Sequence, residues 1–173
     1  MRAQVVVDGV TWPVSGAQVA IVEKGRVFVQ FRPFPPGWEL PGGHVDTDED
    51  PAVAAVRETA EETGYEVHIR GLVGVYSWRG LRTVGDALYL AEIIGGRRRR
   101  SPESVASRWV APGQMPRTIF PWYRQRIYDA LGRCDGDPPV HRVQDVTLHH
   151  VASFAVSWAR SPYDATIRMR RRR

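Results

Sequence analysis

Gly43-His44-Val45-Asp46-Thr47-Asp48-Glu49-Asp50-Pro51-Ala52-Val53-Ala54-Ala55-Val56-Arg57-Glu58-Thr59-Ala60-Glu61-Glu62-Thr63-Gly64-Tyr65 carries more structural instruction than any other part of the chain. From Ala52 to Thr63 it has no glycine or proline and is rich in alanine, the strongest helix former. Asp48 or Asp50 can accept the unpaired amides of a helix start, Pro51 suits the first turn, and Gly64 supplies the C-terminal stop. A helix over residues 51–63 is therefore predicted. With about 100° of rotation per residue, Glu58, Glu61 and Glu62 share one face. Val53, Val56 and Ala60 fall on the other side, which is expected to meet the core.

Upstream, Ala17-Gln18-Val19-Ala20-Ile21-Val22 and Arg26-Val27-Phe28-Val29-Gln30-Phe31 flank Glu23-Lys24-Gly25, the pattern of a hairpin with glycine in its turn. Phe34-Pro35-Pro36-Gly37 is expected to leave the strand, because prolines remove ladder donors. Downstream, strand-like runs occur at Glu66 to Ile69, Leu72 to Trp78 and Asp86 to Ile94, with a shorter one at Arg108 to Pro112. Trp122 to Leu131 has the apolar spacing of a helix, and Val140 to Ala159 is read as helix too, from Leu148, Val151, Ala155 and Ala159. Strands mixed with helices imply a layered α+β or α/β domain. The expected division is a domain over residues 1–132 and a C-terminal extension over residues 133–173 ending in an arginine-rich tail.

The chain has 173 residues, 43% of them hydrophobic, and a formal charge of +5. No apolar run approaches the roughly 18 residues of a membrane span, and the N-terminus lacks a secretion signal, so a cytoplasmic protein is expected. The single cysteine, Cys134, reads as a free thiol. The positive excess is concentrated in Arg97 to Arg100 and in Arg168 and Arg170 to Arg173. Such blocks read as solvated segments, with RNA or an acidic surface as the alternative partner.

Three carboxylates within one helical turn repel one another, and Arg57, one turn from Glu61, matches only part of their charge. Carboxylate oxygens are what Mg²⁺ or Mn²⁺ prefers, and magnesium binds through a few carboxylates with water and phosphate oxygens completing its shell. An acidic helix face alone is more commonly just solvated, so the surrounding residues decide. Gly43, Glu49, Arg57, Glu58, Glu61, Glu62 and Gly64 stand at the spacings Gly-x5-Glu-x7-Arg-Glu-x-x-Glu-Glu-x-Gly, seven fixed positions within residues 43–65. This stretch resembles the Nudix box, and Leu40-Pro41-Gly42 before it extends the likeness. Thr59 and Tyr65 stand where aliphatic residues are usual, and Asp48 where many members have glycine.

The resemblance implies an α/β/α sandwich of the α+β class around a mixed sheet, and hydrolysis of a nucleoside diphosphate derivative by metal-activated water. It implies Glu58, Glu61 and Glu62 as Mg²⁺ ligands, Mn²⁺ being an alternative ion, together with the Gly42 carbonyl. Arg57 would orient these acids, and Glu49 would pair with Arg57. The general base would be Glu62 or Glu58, or, outside the box, Glu103, which is also a candidate metal ligand. Arg32 and Trp38, and Arg79 and Arg82 beside Trp78, are candidates for phosphate and base contacts; the alternative is that the aromatics close the core edge. The partner expected is a small-molecule nucleotide. A homodimer is a further expectation, with Leu148, Val151, Phe154 and Trp158 available to cover a second subunit. The rival readings are a nucleotide sensor without turnover, a Nudix-fold isomerase and an RNA-decapping enzyme, the last favoured by the arginine blocks.

Overall fold

The computed structural model describes residues 3–79, 84–134 and 136–145. The expected hairpin forms from β2 (Val10–Glu23) and β3 (Arg26–Pro33). Its two turn residues, Lys24 and Gly25, both take left-handed backbone, with φ of 50° and 69°, as a two-residue hairpin turn requires. The strands pair only at Val22 with Val27 and Glu23 with Arg26, and then diverge. β2 continues against β5 (Gly42–His44) on one side and, in parallel, β7 (Gly85–Gly96) on the other. β3 instead continues between β4 (Pro36–Glu39) and β8 (Ala106–Val110).

β1 (Gln4–Val7) adds to β2, and β6 (Tyr65–Arg79) pairs antiparallel with β7. The path through the sheet is β4-β3-β2-β7-β6-β9, where β9 is Val140–Asp145. Helix α1 (Pro51–Thr63) contributes Ala54 and Ala55 to one core, and α2 (Pro121–Leu131) contributes Tyr123, Ile127 and Ala130 to the core on the opposite face. The result is a mixed sheet between two helices, the α/β/α sandwich expected. No helix among the described residues is long and apolar enough to cross a membrane.

Several expectations change. Pro36 and Gly37 do not lie in a loop but pair with Pro33 and Arg32 as β4; this is an outer strand, where a missing proline N–H leaves no ladder bond broken. Glu66 to Ile69 and Leu72 to Trp78 are one strand, β6, its register shifting near Gly71 and Gly74. Val140 to Asp145 is not helical: it forms β9, parallel to β6. The sheet thus runs past the expected boundary at residue 132. The remainder of the expected helix, residues 146–159, lies outside the described residues, as do the arginine tail and the residues expected to cover a second subunit.

The helix α1 forms where expected but is rotated. Val53 is 58% exposed, whereas Ala54, Ala55, Thr59, Glu62 and Thr63 are buried. Ala55, Thr59 and Thr63 recur every fourth position, a ridge of small side chains that lets the helix approach the sheet. Both threonine hydroxyls donate to the carbonyl one turn back, Thr59 to Ala55 at 2.7 Å and Thr63 to Thr59 at 2.6 Å. They therefore enter the core with their polarity satisfied.

Asp50, not Asp48, caps the helix, accepting from the amides of Ala52 at 2.8 Å and Val53 at 3.3 Å. Asp50→Ala is expected to cost about 1 kcal/mol, read as a fall of roughly 2–4 °C in Tm for a domain of this size. Asp48 takes φ of 64°, the left-handed region natural to the glycine often found at its position in the box.

Candidate active site

The box loop, α1 and β3 bring the acids together around two centres, Arg57 and the buried carboxylate of Glu62. The Arg57 guanidinium donates from Nε and Nη2 to both oxygens of Glu49, each at 2.9 Å, and from Nη1 to Glu58 at 2.8 Å. Nη2 also reaches the His44 carbonyl at 3.2 Å. This two-pronged grip ties the loop acid Glu49 to the helix acid Glu58. Arg57 holds Glu49 well below the usual carboxylate range, helped by the Asp46 amide at 3.0 Å. The expected Arg57–Glu61 pair is looser, at 3.7 Å, and the Glu61 side chain is 63% exposed.

Arg57→Lys keeps the charge but loses the planar fork. The expected result is a fall of roughly 10–100-fold in metal affinity or activity, with far-UV circular dichroism unchanged. Titration with Mn²⁺ and steady-state rates measure it.

Glu62 faces inward, 6% exposed. Its Oε2 accepts from the Gly42 amide at 2.9 Å and from Gln30 Nε2 at 2.7 Å. Burial nevertheless raises its pKa from the ordinary 4.5 to about 7; the two hydrogen bonds oppose that rise, and the charges of Glu58 and Glu103 add to it. Glu103 itself is exposed, in the loop before β8. Glycine is required next to these acids. A Cβ on Gly43 would lie 2.5 Å from the Glu58 carboxyl carbon, and one on Gly42, at φ of 136°, would meet the Ala17 carbonyl at 2.2 Å.

A divalent cation fits this arrangement. Glu62 is a buried carboxylate that accepts hydrogen bonds from a backbone amide and a neutral side-chain amide, and Glu58 and Glu61 present oxygen donors beside it. Among the described residues no three acidic, histidine or cysteine side chains form a finished cage. The fit is thus to an open site whose shell water and phosphate oxygens would complete.

The substrate-side candidates are not brought together. Arg32 donates to Glu39 at 3.1 Å. Trp38 is 4% exposed, inside the α2-side core, with the Arg108 guanidinium 4.5 Å from its ring centre; it closes the core. Arg79 pairs with Asp145 of β9 at 3.1 Å, with β2 and β7 separating its strand from β3. Arg82 lies outside the described residues.

Three buried polar residues with specific partners are not among the sequence-derived candidates. Gln30 holds Glu62, and its place within the apolar run Phe28-Val29-Gln30-Phe31 was the available signal, since a buried amide needs a partner. Glu39, 3% exposed, is lifted to about 8 by burial against the opposing pull of Arg32. Arg126 is fully buried on α2 and donates to Gln18 at 2.6 Å, Asp86 at 3.0 Å and Gln144 at 2.9 Å.

A family model described as NUDIX domain matches residues 13–131. The chain is 36% identical over 132 residues to a MutT-like protein of Streptomyces ambofaciens, across 76% of this chain and 83% of that protein. It is 35% identical over 116 residues to a putative 8-oxo-dGTP diphosphatase of Bacillus subtilis (strain 168), across 66% and 77% of the two chains. An ADP-ribose pyrophosphatase from Streptococcus suis has the same fold, with a TM-score of 0.65 at 20% identity, over 75% of this chain and 97% of that one.

Proposed function

Because the chain belongs to the Nudix hydrolase family, whose members act on acid anhydrides, we propose that it hydrolyses the diphosphate linkage of a nucleoside diphosphate derivative with Mg²⁺ as its metal. A nucleoside triphosphate is the first candidate, in keeping with the relative named as an 8-oxo-dGTP diphosphatase; a nucleotide sugar and ADP-ribose follow.

The observation that carries this reading is the pair of anchored acids, Glu58 on Arg57 and Glu62 on Gly42 and Gln30. Glu58, Glu61 and Glu62 would hold the ion with the Gly42 carbonyl. When bound, Mg²⁺ supplies an acidified water and charge compensation at phosphorus. Arg57 keeps Glu58 oriented, and Glu49 keeps Arg57 in place. Glu62, with a pKa near neutrality, is suited to take the proton from the attacking water; Glu58 and Glu103 are the alternatives. Arg32 or Arg79, on separate strands, are the cations proposed for substrate phosphates, Arg82 accompanying the second.

The test is product release from nucleoside triphosphates, nucleotide sugars, ADP-ribose, dinucleoside polyphosphates, NADH and coenzyme A, with Mg²⁺, Mn²⁺ or EDTA. Turnover of one class that EDTA abolishes is expected. A nucleotide that binds without turnover of any compound would overturn the hydrolase reading in favour of a sensor.

A further inference from the structure

We infer that Arg98 is a positioning residue that pins the loop carrying Glu103 to the C-terminal end of α1, and so sets Glu103 beside the acidic face. The inference rests on the metal site proposed above. In sequence Arg97 to Arg100 is a uniform basic block, but its members part company in the fold. Arg97, Arg99 and Arg100 are exposed, while Arg98 is half-buried.

The Arg98 guanidinium spans three segments. Nε donates to Ser107 Oγ at 2.6 Å, at the start of β8. Nη2 donates to the carbonyl and the hydroxyl of Ser104, each at 2.9 Å. Nη1 reaches the Thr63 carbonyl at the end of α1, at 3.4 Å. The backbone follows the same course: the Arg99 amide donates to Thr63 at 2.7 Å and the Arg97 amide to Gly64 at 3.1 Å. The strap lies close enough that a Cβ on Gly64 would meet the Arg97 carbonyl at 2.6 Å.

Glu103 stands next to the most constrained residue of this loop. Ser104 is fully buried, and its amide and carbonyl close a turn on Ser101, at 3.1 and 3.3 Å. The next residue, Val105, donates to Phe31 at 3.2 Å. Ser107 is in register with Gln30, the residue whose amide holds Glu62. The charge of Glu103 is felt at Glu62. A planar fork serves four acceptors on three residues at once, which an ammonium with three donors cannot do.

The test is a double-mutant cycle on Mn²⁺ binding by the full chain, read from the paramagnetic resonance signal of free Mn²⁺. Glu103→Gln and Arg98→Ala are each expected to weaken Mn²⁺ about tenfold, the double variant binding no more weakly than Glu103→Gln alone. Removing a cation near a metal site tightens binding by charge alone, so the direction separates positioning from electrostatics. Arg98→Lys, which keeps the charge and should fold if Arg98→Ala does not, is expected to fall between wild type and Glu103→Gln. Amide exchange in metal-free Arg98→Ala should quicken over residues 101–105 and stay unchanged in α1.

Tighter or unaltered Mn²⁺ binding in both Arg98 variants, additive losses in the double variant, or no loss in Glu103→Gln would each overturn the inference. Absence of turnover by the wild type, with the Mn²⁺ cycle as expected, would overturn the hydrolase reading and leave this one standing.

Discussion

Arg126→Met is expected to lower Tm by roughly 10 °C, the equivalent of about 3–5 kcal/mol for breaking a buried ion pair from one side. The Arg126 side chain is completely enclosed, 3.0 Å from Asp86, and its guanidinium lies 4.9 Å from the ring centre of Tyr76 and 5.4 Å from that of Tyr123. Methionine fills much of the volume but leaves the Asp86 charge and the carbonyl oxygens of Gln18 and Gln144 without this donor. The unpaired charge should account for the larger share. Adding Asp86→Asn to Arg126→Met should therefore recover part of the loss, and thermal unfolding of the three variants measures both effects. An Arg126→Met chain that melts with the wild type would mean that this network contributes nothing to stability.

Glu62→Gln is expected to reduce kcat by about 10²–10⁴-fold while making the metal-free protein more stable at neutral and alkaline pH. The amide oxygen of glutamine can still accept from Gly42 and Gln30, so the fold keeps both bonds; what disappears is the carboxylate. In wild type the group is raised from 4.5 to about 7, chiefly by burial. Between those values the unfolded chain has lost the proton and the folded chain keeps it. Stability therefore falls as pH rises from about 4.5 to about 7 and levels off beyond. The variant lacks this slope. In EDTA the two proteins should unfold alike near pH 4, and the variant should be the more stable above pH 7, as denaturant titrations at a series of pH values would show. Equal stability at every pH would mean that Glu62 is not held against its charge.

The helix, the acids and their spacing were legible because they obey local rules: a capping aspartate, a proline in the first turn, a terminating glycine and a fixed interval between carboxylates. The rotation of α1 was not, because Thr59 and Thr63 count as polar in any one-dimensional pattern, and only the fold shows their hydroxyls satisfied by the preceding turn. β9 was missed for a related reason. Val140 to Asp145 alternates weakly, and its strand character comes from pairing with β6, a partner more than sixty positions away at every rung. Adjacency in the chain gives two separate groups of substrate cations, Arg32 near Trp38 and Arg79 with Arg82 beside Trp78, and the sheet order keeps Arg32 and Arg79 on strands that are not neighbours. Arg98 shows the converse, one member of an apparently uniform charge run singled out by contacts that composition does not encode.

The divergence of β2 from β3 beyond their turn gives the Glu62 carboxylate a mechanical meaning as well as a chemical one. Gly42 belongs to the strands grouped around β2, and Gln30 to those grouped around β3. Both donate to the same oxygen. One atom thus fastens a seam between two halves of the sheet. An occupant that draws this oxygen away must loosen the seam, and by reciprocity whatever tightens the seam raises the cost of drawing it away.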